Sequence, residues 1–366
     1  MDFLPSALAP SLDQTASPVS LLGLATAVPP HVIEQQEVAR RAQPLFGPAF
    51  SRYPKLIEVF ANAGIARRYA ACPIGWYEQD HGWPERNAAY LEAAGALYVE
   101  VAEAALARAG LAPRDVDTIV TVSSTGIATP SLEARVAQRL RFHPNATRVP
   151  VFGLGCAGGV SGLSLAAKLA RAALGRIVLL VTVEVCTLAF RHDRTSKADV
   201  IAAALFGDGA AAAVLQAGAD VGSGVRIAAG FEHLWPETLD IMGWSVDPAG
   251  FGVILSRALP RFVEKRLAAA ARRFLATSGL KAREPRFICH PGGAKVLVAV
   301  EKALGMVPDT LQDERAVLRD FGNMSAPTVL FVLERALAGG LTGPAVLAAL
   351  GPGFTASFLA LEAGHG

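Results

Sequence analysis

The stretch GLGCAGGVSGL, residues 153–163, follows the apolar run RVPVFGLG (residues 148–155) and opens a small-residue segment of helical period, residues 161–174. Glycines on both sides of Cys156 permit a tight strand-to-helix turn and close approach of a ligand to the backbone, and a helix beginning there offers unpaired N–H groups. A thiolate attacks acyl groups, and a helix start with a histidine nearby is one way to lower a thiol pKa. Cys156 is therefore a candidate nucleophile. The plainer reading is a small buried cysteine, which is what Cys72, Cys186 and Cys289 suggest, lacking comparable glycine settings.

Around this stretch, short apolar runs alternate with amphipathic ones. Residues 117–124, 148–155 and 176–185 read as buried strands, and residues 90–109, 132–140 and 161–174 as helices. That alternation predicts an α/β fold. Past a Gly- and Asp-containing stretch, residues 217–224, the pattern resumes with a helix at 259–277, a strand in RFICH (286–290) and a helix at 326–338. The halves look alike. Gly155-Cys156 precedes a helix in the first and Gly322-Asn323 in the second, and FGDGAAAAVL (206–215) is matched by GPGFTASFLALE (351–362), so an internal duplication is expected.

His290 ends the strand of RFICHPGGAKVL and precedes Pro291-Gly292-Gly293. An imidazole there can reach a cleft, pairing with a thiolate or donating to a carbonyl oxygen. Asn323 in FGNMSAP has two readings, a partner of that chemistry or an N-cap of the helix that follows.

Composition narrows the classes of function. The 366 residues are 52% hydrophobic and 18% charged, with 34 Lys+Arg against 32 Asp+Glu and a net charge of +2, so no global field attracts a nucleic-acid backbone. The four cysteines are scattered without a CxxC pair, against both a disulfide framework and a zinc site. The first basic residue is Arg40, which leaves no charged leader region and favours the cytoplasm. Two uncharged stretches, residues 149–167 and 336–361, have the length of a membrane span but are punctuated by Gly and Pro, as buried strands and turns are.

GLGCAGG, FGDGAAA, HPGG, GNMS and GPG, in this order, resemble the type III polyketide synthases, the chalcone synthase-like enzymes of the thiolase superfamily. The resemblance runs from about Ser20 to the C-terminus. It implies a five-layered αβαβα thiolase fold in two duplicated halves: an N-terminal arm over 1–19, a half carrying the nucleophile over 20–220, and a half carrying His and Asn over 221–366. It also implies a homodimer, coenzyme A thioesters as substrates and no metal or redox cofactor. By motif, Cys156 is the nucleophile, and His290 and Asn323 hold the thioester carbonyl. Phe206 is a gatekeeper, with Val246, Ala189, Cys186, Thr125 and Ser325 around the cavity. Lys55, Gly292, Gly293 and Ala294 fall at the coenzyme A site.

The chain also departs from the plant pattern. Two further cationic positions fall on Glu58 and Asn62, leaving Arg67 or Arg68 to contribute to phosphate binding. Val246 and Ala189 stand where bulkier residues are usual, which predicts an enlarged tunnel, a medium- or long-chain fatty acyl-CoA starter and an alkylpyrone or alkylresorcinol product. The basic stretch 257–286 reads as a solvated helix face, with docking of an acyl carrier protein as the sharper alternative. Two rivals remain. One is an initiating β-ketoacyl carrier-protein synthase, which HPGG and GNMS disfavour; the other is a non-enzymatic thiolase-fold partner protein, expected to have lost Cys156, His290 or Asn323.

Overall fold

The computed structural model describes residues 17–218, 224–280 and 284–364. The expected arm, residues 1–19, lies almost wholly outside them. The first half runs β1 (Val19–Ala27), β2 (His31–Glu34), α1 (Gln35–Leu45), α2 (Gly47–Arg52), α3 (Glu58–Asn62), β3 (Arg67–Ala70), α4 (Trp83–Arg108), β4 (Thr118–Val122), α5 (Leu132–Leu140), β5 (Thr147–Val151), α6 (Gly158–Ala172), β6 (Ile177–Val185), α7 (Lys197–Leu205) and β7 (Asp208–Ala217). The second runs β8 (Val225–Leu234), β9 (Met242–Asp247), β10 (Gly250–Leu255), α8 (Leu259–Thr277), β11 (Arg286–Cys289), α9 (Ala294–Leu304), α10 (Gln312–Phe321), α11 (Thr328–Ala338), β12 (Gly343–Gly351) and β13 (Thr355–Ala363).

The duplication is visible in strand order. The main sheet runs β11-β12-β13-β8-β1-β7-β6-β4-β5. Read outward from its middle, β1-β7-β6-β4 and β8-β13-β12-β11 are the same path: two antiparallel steps, then a parallel one. The halves meet where Val19, Ser20 and Leu21 pair with Ile227, Arg226 and Val225.

Side-chain alternation assigns the layers. On β7, Ala211, Ala213 and Leu215 face α6 and α11, whereas Ala210, Ala212 and Val214 face α4 and α5. On β12, Ala345, Leu347 and Ala349 face the same central helices, and Val346, Ala348 and Leu350 face α8 and α9. The order is thus α4/α5, sheet, α6/α11, sheet, α8/α9, the five-layered αβαβα thiolase fold. Where both faces are covered a strand is continuously buried, as all nine residues of β6 are; β5, at the edge of the sheet, has no buried residue, against the reading of residues 148–155 as a buried strand. Small residues let α6 and α11 lie close. A Cβ at Gly159 would stand 2.3 Å from the Ala326 carbonyl oxygen.

The two long uncharged stretches resolve into β5, a turn and α6, and into the end of α11 with the β12–β13 pair. No helix among the described residues is long and apolar enough to cross a membrane. The helix expected from residue 90 begins earlier, at Trp83, where Pro84 suits the first turn and the Glu85 carboxylate accepts the Gly82 N–H at 3.1 Å.

Candidate active site

Cys156 stands in a short 3-10 turn between β5 and α6, two residues ahead of the α6 helix. Gly155 before it has φ +47°, and a Cβ there would meet the Pro352 ring at 2.8 Å, so only glycine brings the thiol to this depth. At the matching end of the second half, Asn323 lies five residues before α11, whose N-cap is Pro327. The N-cap reading of Asn323 is therefore wrong. Its Oδ1 instead accepts the Ser325 N–H at 2.8 Å, folding the loop on itself, and Ser325 sits in the left-handed region at φ +59°. His290 follows β11, its N–H donating to the Ala348 carbonyl at 2.8 Å.

The three side chains share one cavity of about 530 Å³, within the range usual for small-molecule sites. All are buried. Cys156 Sγ lies 3.9 Å from Asn323 Oδ1, and Asn323 Nδ2 donates to the Gly292 carbonyl at 3.3 Å. Among the described residues neither ring nitrogen of His290 has a partner. Buried polar atoms without partners are rare in native interiors, and two on one ring inside a cavity point to a ligand.

The electrostatics correct one expectation. A helix start predicts a depressed thiol pKa for Cys156, but burial pushes it up to about 11, and the Glu184 charge adds to the rise, against side-chain contacts with Ser325 and Asn323. Burial also drives His290 down to about 3. Both shifts favour the neutral thiol and the neutral imidazole at pH 7.

Thr125 and Ser325 line this cavity, as do Lys55, Gly292, Gly293, Ala294, Glu58 and Asn62. Phe206 and Cys186 line it too and also form the wall of a second, apolar cavity of about 100 Å³ between α1 and α7. Ala189 belongs to that second cavity. Val246 belongs to neither: it is 74% exposed, near the turn joining β9 to β10. The small residue shared with Phe206 and Cys186 is Val253, on β10. Neither arginine offered for phosphate binding lines the cavity that holds Cys156. Arg68 is buried and donates to the Ala203 and Phe206 carbonyls, both at 2.7 Å, while Arg67 faces Asp320 at 4.0 Å. Of the remaining cysteines Cys289 is buried, as expected, whereas Cys72 is only half-buried.

Glu184 is the residue that sequence reading passed over. On the fully buried β6, its Oε2 accepts the Ser124 N–H at 2.9 Å and the Thr125 hydroxyl at 2.8 Å, while Oε1 has no partner among the described residues. Burial raises it to about 8. A single carboxylate inside VTVEV was the available signal. Trp244 was missed as well; it lines the cavity and donates Nε1–H to the Ser124 carbonyl at 2.9 Å.

Residues 79–220 match the family described as chalcone and stilbene synthases, N-terminal domain, and residues 226–363 match its C-terminal domain. The chain belongs to this family, the type III polyketide synthases. It is 38% identical over 353 residues to a 1,3,6,8-tetrahydroxynaphthalene synthase of Streptomyces peucetius subsp. caesius, covering 94% of this chain and 93% of that one. It is 34% identical over 354 residues to a putative chalcone synthase of Bacillus subtilis (strain 168), covering 93% and 97%. Among solved structures, the 1,3,6,8-tetrahydroxynaphthalene synthase of Streptomyces coelicolor A3(2), a bacterial type III polyketide synthase, superposes with TM-score 0.88 at 29% identity, covering 95% of this chain and 99% of that one. As a polyketide synthase the chain is an acyltransferase, and the non-enzymatic reading is set aside.

Proposed function

We propose that the chain loads a medium- or long-chain fatty acyl group from coenzyme A onto Cys156 and extends it with two or three malonyl units to an alkylpyrone or alkylresorcinol. The observation that carries the reading is the burial of Cys156, His290 and Asn323 in one cavity, with both His290 nitrogens unpartnered among the described residues.

A neutral imidazole is in the state needed to accept a proton. In loading, His290 takes the Cys156 proton as sulfur attacks the thioester carbon; the C–S bond to coenzyme A breaks, and the coenzyme A thiolate leaves with that proton. Malonyl-CoA then loses carbon dioxide, and the electron pair of the broken C–C bond becomes an enolate. His290 and the second Asn323 N–H donate to its oxygen, each such donor contributing about 3–4 kcal/mol to a developing oxyanion. The enolate carbon attacks the Cys156 thioester, forming a C–C bond and releasing the thiolate. Each step balances with coenzyme A thioesters and the protein alone, so no metal or redox cofactor enters the scheme.

The chain-length assignment is supported by the second cavity, whose apolar wall adjoins the first through Cys186, Phe206 and Val253. A second reading, an all-malonyl route to a tetrahydroxynaphthalene, is favoured by the names of the relatives; ten ring carbons correspond to five two-carbon units. Mass spectrometry of products from the purified protein given malonyl-CoA alone, and with acyl-CoA starters from acetyl to stearoyl, separates them. Alkylated lactones or resorcinols support the first reading. A naphthol from malonyl-CoA alone, with no incorporation of any fatty acyl group, overturns it. The homodimer, the cytoplasmic location and starter delivery by an acyl carrier protein at the charged face of α8 belong to the same proposal. Sedimentation and carrier-loaded starters test the dimer and the delivery.

A further inference from the structure

Helix α7 ends beside both cavities, and its last carbonyls are claimed by different segments. The Ala204 carbonyl accepts a Gln35 Nε2 hydrogen at 3.0 Å, the Leu205 carbonyl accepts the Asn323 N–H at 2.9 Å, and Arg68 Nη1 donates to both the Ala203 and Phe206 carbonyls. Carbonyls at a helix end need such partners, and a cation suits that end of the dipole. The Gly207 N–H in turn donates to the Asn323 carbonyl at 3.0 Å, so that Phe206 and Asn323 form an isolated parallel bridge. The residue that lines both cavities is thus paired, backbone to backbone, with the residue whose amide faces Cys156.

Arg68, on β3, is packed against this bridge. It is buried, and a Cβ at Gly322, whose φ is +71°, would stand 2.8 Å from its Cγ and Cδ, while one at Gly207 would stand 3.4 Å from its Cβ. Burying a guanidinium is costly, the more so because Nε has no partner among the described residues. The facing charge is Asp208, whose carboxylate is fixed by the Ala71 and Thr187 N–H groups, each at 2.8 Å. A costly group kept at such a junction points to a positional task. We propose that Arg68 is a positioning residue for the condensation: by bridging the Ala203 and Phe206 carbonyls and filling the space against Gly322, it holds Phe206 and the Asn323 amide as one unit. The wall between the cavities and the donor that meets the enolate then keep a fixed separation. The inference rests on the role given above to Asn323 in holding the enolate.

Arg68→Met keeps an apolar stem and removes the donors. Its kcat for malonyl-CoA decarboxylation should fall about 10–100-fold, the loss that a small misplacement of a catalytic group gives, with KM unchanged and starter loading on Cys156 close to wild type. Hydrogen exchange, read by mass spectrometry, should quicken about tenfold at the amides of Gly207 and Asn323 and stay unchanged in α6 and β6. Arg68→Lys, a cation with three donors, should restore most of the decarboxylation at pH 7. A buried amine gives up its proton more readily than a guanidinium, so this variant's rate relative to wild type should fall as pH rises from 7 to 9.5 while loading keeps its ratio. Asp208 and Tyr77 are the titratable groups that act on the site. Equal losses in loading and decarboxylation overturn the proposal, as does a wild-type rate or unchanged exchange in Arg68→Met. Should Arg68→Met fail to fold, Arg68→Lys decides: the falling ratio supports the proposal, and a ratio that does not change with pH overturns it. If the wild-type protein does not decarboxylate malonyl-CoA, the proposed function fails, and exchange at Gly207 and Asn323 still decides whether Arg68 holds them.

Discussion

Asn323 Oδ1 lies 3.9 Å from Cys156 Sγ while accepting the Ser325 N–H at 2.8 Å. The amide is thereby held with its oxygen toward the nucleophile and its nitrogen toward the Gly292 carbonyl, 3.3 Å away. An amide nitrogen carries two hydrogens, so one remains to meet an enolate. In the proposed scheme the same amide faces the thiol through its oxygen and the enolate through its nitrogen.

Asn323→Ala should lower malonyl-CoA decarboxylation by about 10²–10³-fold, and starter loading on Cys156 by much less. Single-turnover assays with each thioester separate the two steps. Equal losses would contradict the division of labour.

With Cys156 pushed up to about 11, the expected thiolate fraction at pH 7 is about one in ten thousand. Inactivation by iodoacetamide should accelerate about tenfold per pH unit from 7 to 10, with Cys156→Ser as the control for the other cysteines. A rate already level at pH 7 would show a preformed thiolate–imidazolium pair instead.

Val253→Phe and Ala189→Thr should each shorten the longest starter accepted. Every methylene denied burial costs about 0.8 kcal/mol, or roughly fourfold in kcat/KM. Val246→Phe should leave the length profile unchanged, because that side chain is 74% exposed. A shortened profile for Val246→Phe, or none for Val253→Phe, would reverse the assignment.

The outcome at Val246 shows where sequence reading loses force. Strands and helices around Cys156 were legible because burial on both sheet faces writes long apolar runs, as in β6, and because glycine marks the turn at Gly155. His290 and Asn323 were legible for the same reason. Val246 and Val253 lie on neighbouring strands of one hairpin, paired so that Val246 faces Phe251 and Val253 faces Trp244. Which of two valines reaches a cavity depends on where that hairpin crosses it, and nothing local to either residue records this. The burial that raises Cys156 and lowers His290 is likewise contributed by distant segments, and so it was misjudged from the local turn.

Glu184 makes folding stability depend on pH. Its pKa rises from the usual 4.5 to about 8 in the folded chain, so between those values the unfolded chain has lost a proton that the folded chain keeps. Stability should therefore fall as pH rises from about 4.5 to 8 and level off above, by on the order of a few kcal/mol. Glu314, raised to about 7, and Asp208, raised to about 6, act with the same sign. Glu184→Gln keeps an acceptor for Ser124 and Thr125 and should flatten the slope in urea denaturation at pH 5, 6.5 and 8. An unaltered slope would place the titration elsewhere.

The contact of Gly159 with the Ala326 carbonyl ties the ancestry of the two repeats together. Cys156 precedes α6 in one repeat and Asn323 precedes α11 in the other, and the spacing of these helices is set where no side chain fits between them. A methyl group acquired at Gly159 would displace the partner repeat's loop and, with it, the amide that faces the thiol. The outer helices and the cavity's rim lie clear of that contact, whereas a bulkier residue on the adjoining faces of α6 and α11 alters the thiol's loop and the amide's loop at once.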